Sequence, residues 1–248
     1  MLKPFVLLVF LFLFYFGFSQ KISKEVQILL KVYPNNILSF KENKLFFKDG
    51  TSLLYDDFKV KSDINLLNNP DIEDQYKLEY SKNNSHKNDA GRIRNEEFFK
   101  KIYGNTKNEV EKKLATITWC PKLVNQKIKV TTVNGFNKIV EKLSVELDNH
   151  PEFKKYISNI GGTFNWRKIA GTSRLSMHSF GMTIDINVKY SDYWQWNCKC
   201  TDESKKLTYQ NKIPLEIVKI FEKYGFIWGG NWIHFDTMHF EYRPEFFE

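Results

Sequence analysis

The chain has 248 residues, of which 42% are hydrophobic, 27% charged and 16% aromatic, with 12 Gly and 7 Pro. That balance excludes collagen-like, low-complexity and wholly disordered chains, and it leaves ample apolar material for a core. The net charge is +8, from 37 Lys and Arg against 29 Asp and Glu. A basic surface suits nucleic acid, an anionic membrane or an acidic polymer alike, so its sign alone selects none of them.

Met1 to Ser19 reads as a secretory signal peptide: Lys3 supplies the positive start, Phe5 to Phe16 the apolar run, and Gly17-Phe18-Ser19 the small residues of a cleavage site before Gln20. The apolar run is shorter than the roughly 20 residues a spanning helix needs, so removal is expected, with an uncleaved anchor as the alternative. Removal takes away one Lys and no acid, which leaves a mature charge of +7. No stable membrane insertion is then expected, because no second apolar run of membrane length follows. Absence of a Cys after the apolar run leaves a lipoprotein anchor unsupported.

Residues 20–60 form an N-terminal accessory region in which Asn43-Lys44 and Asp49-Gly50 flank Leu45-Phe46-Phe47, a small β-hairpin. Residues 61–92, rich in Asn, Lys, Asp and Ser, read as a solvated loop or linker. Residues 93–248 form the principal domain. Phe136, Ile139, Val140, Leu143 and Leu147 make an amphipathic helix of 133–149. A second helix runs over 214–224, with Pro214 at N1, a stripe of Leu215, Val218 and Phe221, and Gly225 as its stop. Strands are expected at 162–167, 182–188, 226–228 and 238–242. The fold class is therefore α+β, a small antiparallel sheet with packed helices, and the protein is expected to be a monomer.

Three cysteines, Cys120, Cys198 and Cys200, allow at most one internal disulfide with one thiol left over. A zinc ribbon needs two cysteine pairs and only Cys198-Lys199-Cys200 offers one, so a structural disulfide or inert thiols are expected. His86, in the polar stretch, and His150, before Pro151, read as solvated surface histidines. The remaining three, His178, His234 and His239, fall among carboxylates in the last 71 residues.

In Met182-Thr183-Ile184-Asp185-Ile186-Asn187-Val188 the apolar residues alternate strictly with polar ones, which makes a strand with Asp185 turned away from the apolar layer. His178 lies seven residues earlier, across Gly181, where a turn swings its ring back beside Asp185. In the segment 236–242, His239 and Glu241 share one face of a second strand. If the two strands pair, His178, Asp185 and His239 converge, and two imidazoles with one carboxylate make a zinc site with an open fourth position. His234 is the alternative third ligand, or a substrate contact. Asp236, three residues before His239, is placed to take a proton from an activated water and hand it to a leaving amine. Glu241 competes for that role and is ranked as the group that orients a ligand histidine. The bland alternative is a set of buried polar residues capping turns.

The run Ser176-Met177-His178-Ser179-Phe180-Gly181-Met182-Thr183-Ile184-Asp185 resembles the S-x-H-x-x-G-x-x-x-D signature of the zinc D-alanyl-D-alanine metallopeptidases. Asp236-Thr237-Met238-His239-Phe240-Glu241 is similar to that family's second motif, and Tyr224 to Trp232 to its Gly-Phe-x-Trp-Gly-Gly-x-Trp run. The resemblance covers about 75 residues in the correct order. It implies a fold like that shared by these peptidases and the hedgehog signalling domain, a Zn2+ ion on His178, Asp185 and His239, and Asp236 as general base. It also implies an upstream arginine that steadies the scissile carbonyl or a substrate carboxylate: Arg167, with Arg174 as its rival. Ser176 and Trp232 fall in the same motifs as further site residues, and Trp194, Trp196, Trp228 and Trp232 either line the cleft or pack in the core. The family's Ser-Gly-Tyr-Arg lead-in is replaced here by Thr163-Phe164-Asn165-Trp166-Arg167, and residues 20–110 have no counterpart in the minimal fold.

The expectation is thus an exported metallopeptidase, periplasmic or associated with the cell wall. Its substrates would be the stem peptides of peptidoglycan, cut as a D,D-carboxypeptidase or, alternatively, as an L-alanyl-D-glutamate endopeptidase. A non-catalytic wall-binding module on the same fold is the rival from another class. Nucleic acid is disfavoured, since no run of five Lys or Arg interleaves with aromatics.

Overall fold

The computed structural model describes residues 22–82 and 88–248; the expected signal peptide and His86 lie outside the described residues. No helix among them is long and apolar enough to cross a membrane. Helix α1 (Lys24–Val32) starts where the Ser23 hydroxyl accepts from the Val26 amide. It leads into an antiparallel meander of β1 (Ile37–Lys41), β2 (Lys44–Phe47) and β3 (Ser52–Leu54). The expected hairpin is present and gains a third strand, because both turn signals are used: Glu42 and Asn43 take positive φ in the first turn, and Gly50 in the second.

Of the stretch 61–92, expected as a solvated loop or linker, the described residues 61–82 and 88–92 pack against the rest of the chain. After a short helix α2 (Asp63–Asn68), Ile72, Tyr80 and Ala90 are buried. The many charges that suggested solvation satisfy one another, since the Lys61 ammonium sits among the carboxylates of Asp57, Asp71 and Asp74. Tyr80 donates to Glu222 at 2.7 Å and accepts from the Trp228 amide at 3.0 Å, so this segment is fastened to the C-terminal part.

Helix α3 (Glu96–Tyr103) is capped by Asn95, which accepts from the Phe98 amide at 2.8 Å; its acids lie in the first turn and its lysines in the last, both favourable to the helix dipole. Helix α4 (Lys107–Glu111) is followed by a hairpin, β4 (Leu114–Trp119) with β5 (Gln126–Thr131). Helix α5 (Phe136–Leu147) is the expected 133–149 helix, entered through a tight turn of 133–135. A one-turn helix α6 (Lys154–Ile157) follows.

The third sheet carries the candidate site. Its order is β6 (Thr183–Asp185), β8 (His239–Tyr242), β7 (Phe226–Trp228), all antiparallel. Helix α7 (Trp194–Cys198) lies in the connection after β6, and α8 (Leu215–Lys223) precedes β7. Pro214 is the N-cap of α8 rather than its first residue, and Leu215 is exposed, so Ile217, Val218 and Phe221 form the buried face. Gly225 takes φ +85° directly after the helix, as a stop requires.

Two strand expectations are corrected. Residues 162–167 form no strand but a loop tied by single bridges, Gly162 to Asp185 and Lys168 to Leu175. The 182–188 strand stops at Asp185, because beyond it the chain turns at 188–190, and Val188 is exposed.

One continuous core joins the regions. Phe221 stacks on Phe240 with centroids 3.8 Å apart, and Phe136 packs against Phe226 and Tyr242. Val26, Leu29 and Tyr33 of α1 belong to the same cluster. Each such side chain contributes about 1.5–3 kcal/mol by leaving water. Of the three cysteines, Cys198 and Cys200 form a disulfide, and Cys120 is a buried free thiol.

Candidate active site

Pairing of β6 with β8 sets Asp185 directly opposite His239. His178 is brought to them by a single 3-10 turn, Met177–Phe180, that ends at Gly181 in the left-handed region with φ +64°. His178 Nε2 lies 3.0 Å from Asp185 Oδ2, and His239 Nδ1 lies 2.9 Å from Asp185 Oδ1. Ligand atoms of the three residues fall within 4.8 Å of one another. Tetrahedral zinc with nitrogen and oxygen donors at about 2.0–2.1 Å places neighbouring donors a little over 3 Å apart. The donor set and its spacing therefore fit such an ion.

The rings are held for that task. His178 Nδ1 lies 2.8 Å from Thr183 Oγ1 and 3.2 Å from the Thr163 carbonyl, so a proton held there leaves Nε2 to face Asp185. His239 Nε2 lies 3.3 Å from Glu241 Oε2, which turns Nδ1 towards Asp185. Glu241 thus stands beside the ring that its place on the strand face was expected to let it orient. Burial works against its charge, but Arg94, His239 and Arg243 together hold its carboxyl well below the usual range. Burial likewise opposes ionisation of Asp185, and the two imidazoles reverse that and hold it low. For His239, burial works against the charge, yet Asp185 and Glu241 raise the ring to about 10.

Asp236 lies on the turn into β8, pinned by its amide to the Gly229 carbonyl at 3.0 Å and bridged to Tyr193. Its Oδ1 is buried with no hydrogen-bond partner. Burial, with repulsion from Asp185, pushes this carboxyl up to about 6. Two acids beside the same histidine are thus driven in opposite directions, the ligand low and the candidate base high.

These residues form the floor of a cavity of about 340 Å³. Trp194, Trp196 and Trp232 line it, whereas Trp228 is wholly buried in the core. Ser176, in the same wall, accepts nothing through its side chain; its amide donates to the Arg167 carbonyl. His234 is not brought to the metal cluster. Its ring is held by Asp89 at 2.6 Å and by the Glu203 carbonyl at 2.9 Å, and it faces the cavity from the side. His150 sits partly exposed beside Glu152.

Four arginines reach the cavity: Arg92, Arg94, Arg167 and Arg174. Arg167 is exposed, with its guanidinium 3.3 Å from the Lys168 carbonyl. Arg174 is more enclosed, and its buried Nε has no partner, while Glu203 stands 4.0 Å from its Nη2. Arg92 grips Glu203 with both terminal nitrogens at 2.9 Å. Arg94 grips Glu241. The alternating arginines of Gly91-Arg92-Ile93-Arg94 were the one sequence signal for these last two, which sequence reasoning missed along with Asp89 and Glu203.

Residues 170–242 match the family model described as D-alanyl-D-alanine carboxypeptidase. No curated protein and no solved structure matches the chain. The matched segment holds His178, Asp185, Asp236 and His239, so the resemblance to the D-alanyl-D-alanine metallopeptidases is shown over this part of the chain.

Proposed function

We propose that this chain, whose C-terminal part is a peptidase domain of that family, is a zinc metallopeptidase that removes terminal D-alanine from peptidoglycan stem peptides. The observation that carries the reading is the partnerless, buried Asp236 oxygen beside the His178–Asp185–His239 donor set. A turn-capping role would leave no acceptor unsatisfied at the floor of a cleft.

His178, Asp185 and His239 would hold the zinc, which when bound polarises the scissile carbonyl and acidifies the attacking water. Asp236 takes the proton from that water at a carboxylate oxygen and returns it to the departing amine. A pKa raised by burial suits both halves of that cycle, since the group must accept a proton readily and release it again near neutrality. Arg174, which lines the cavity and is more enclosed than the exposed Arg167, receives the substrate's terminal carboxylate through its guanidinium. The Tyr193–Glu203 segment walls the cavity on one side, with Tyr193, Trp194, Trp196 and Glu203 lining it, as an exo-acting site requires. Export across the inner membrane and a place at the cell wall belong to the same proposal. A mature charge of +7 would concentrate the enzyme near stem carboxylates.

Digestion of purified peptidoglycan by the mature protein, with products read by mass spectrometry, tests the reading. Loss of terminal D-alanine is expected, and it should cease with a chelator. Release of whole stem peptides would replace it with the L-alanyl-D-glutamate endopeptidase. Binding to the wall without cleavage by zinc-loaded protein would overturn the enzyme reading.

A further inference from the structure

Glu241 carries the orientation of His239, and its own position is set largely from outside the matched segment. Arg94 Nε lies 3.2 Å from Glu241 Oε1, and Arg94 Nη2 lies 2.6 Å from Glu241 Oε2. The second oxygen is the one that meets His239 Nε2 at 3.3 Å. Arg243 Nη1 holds the other oxygen at 3.2 Å. Among the described residues these are all the donors on this carboxylate, which is fully buried. Arg243, just past β8, also binds Glu245, in the turn that follows, and the Gly91 carbonyl. Among the described residues, only Arg94 anchors the oxygen that His239 uses.

The same short segment holds a second neighbour of His239. Trp232 lies against the His239 ring with centroids 5.7 Å apart, and its indole N–H donates to the Ala90 carbonyl at 2.6 Å. The Arg94 guanidinium stands 5.6 Å over the Trp232 ring. Residues 90–94 thus clamp both groups that flank this ligand.

We propose that Arg94 is a positioning residue for the metal centre: through the two-pronged pair with Glu241 it fixes the His239 tautomer that presents Nδ1 to the ion. The inference rests on the metal reading above and assigns a task to a residue outside the family match. A planar fork holds both carboxylate oxygens in one orientation, which a lysine ammonium cannot do. Without the fork Glu241 keeps its pair with Arg243, so the fold persists while Oε2 is free to rotate.

Zinc affinity measured by competition with a chromogenic chelator tests this without reference to turnover. Arg94→Gln should weaken zinc about 10- to 100-fold, the range for loss of an outer partner of a ligand histidine. Its melting temperature without metal should stay near that of wild type. Arg94→Lys should give an intermediate affinity. Arg94→Gln combined with Glu241→Gln should cost little more than Glu241→Gln alone, because both act on one ring. Cobalt substituted for zinc should show a changed visible spectrum in the glutamine variant. Zinc binding within about twofold of wild type would overturn the proposal. If Arg94→Gln does not fold, Arg94→Lys decides: a loss of about threefold or more supports the proposal, and an unchanged constant contradicts it. Failure of the wild type itself to bind zinc would instead sink the metal reading.

Discussion

Asp236 and His239 sit three residues apart and differ in what protonation does to them. The general base must be ionised to work. With its pKa pushed up to about 6 by burial and Asp185, and drawn lower by a bound cation, the acid limb of kcat/KM should fall at or below pH 6. Activity should decline about tenfold per pH unit below that limb. Asp236→Asn should remove the limb along with most of the rate; a limb that survives in the variant would assign it to another group. For His239 the sign is opposite. Raised to about 10 without metal, the ring is protonated at neutral pH, and a metal ion must expel that proton to reach Nδ1. Zinc binding at pH 7 should therefore release protons, and affinity should rise with pH. Calorimetry in buffers of different ionisation enthalpy measures this, and a heat independent of buffer would contradict it. That Asp185 and His239 meet was legible because strand alternation fixes side-chain direction. Arg94, Asp89 and Glu203 were not legible, because each pairs at the site with a residue more than 100 positions away.

At the scale of elements, the glycines of the motifs have steric reasons. A Cβ on Gly181 would stand 2.7 Å from Leu114 Cδ2, in a backbone conformation with φ +64°. Gly181→Ala should cost about 1–2 kcal/mol from backbone strain alone and should displace the turn that delivers His178. Denaturant titration with zinc affinity measured alongside checks this. A Cβ on Gly229 would lie 2.6 Å from the Asp236 carbonyl, and one on Gly230 would meet the Trp228 ring at 2.1 Å. The Gly-Gly pair therefore lets the Trp-rich turn close onto the loop that carries the base. Helices α5 and α8 and strands β7 and β8 were readable from apolar spacing. The 162–167 loop was not, since its backbone bonds are made singly to Asp185 and Leu175 rather than along a ladder. The β4–β5 hairpin was also missed: Thr116, Thr118, Lys127 and Lys129 alternate with its buried residues, but the run carries no tight glycine turn.

The molecule as a whole does not divide at residue 92. Tyr33 donates to Glu245 at 2.8 Å in a buried contact, α1 shares the central core, and residues 88–94 line the cleft or hold those that do. A chain beginning at residue 104 should lose cooperative unfolding and zinc affinity together, measurable by thermal melting; an independently folded, zinc-binding fragment would contradict this unity. Composition hid that arrangement. Polar stretches are read as solvated, and here Lys61, with Lys59 and Lys77, pairs with the carboxylates of Asp57, Asp71 and Asp74, so that the segment can pack.

The central claim is that one metal held by His178, Asp185 and His239 acts with Asp236 on an amide bond. The most direct measurement is release of D-alanine from a stem pentapeptide by wild type and Asp236→Ala, with bound zinc determined in both. The account predicts stoichiometric zinc in each protein, wild-type hydrolysis that stops with chelation and returns with zinc, and a variant slowed by about 10²–10⁴-fold. A variant as fast as wild type, or wild-type hydrolysis indifferent to the chelator, would contradict it.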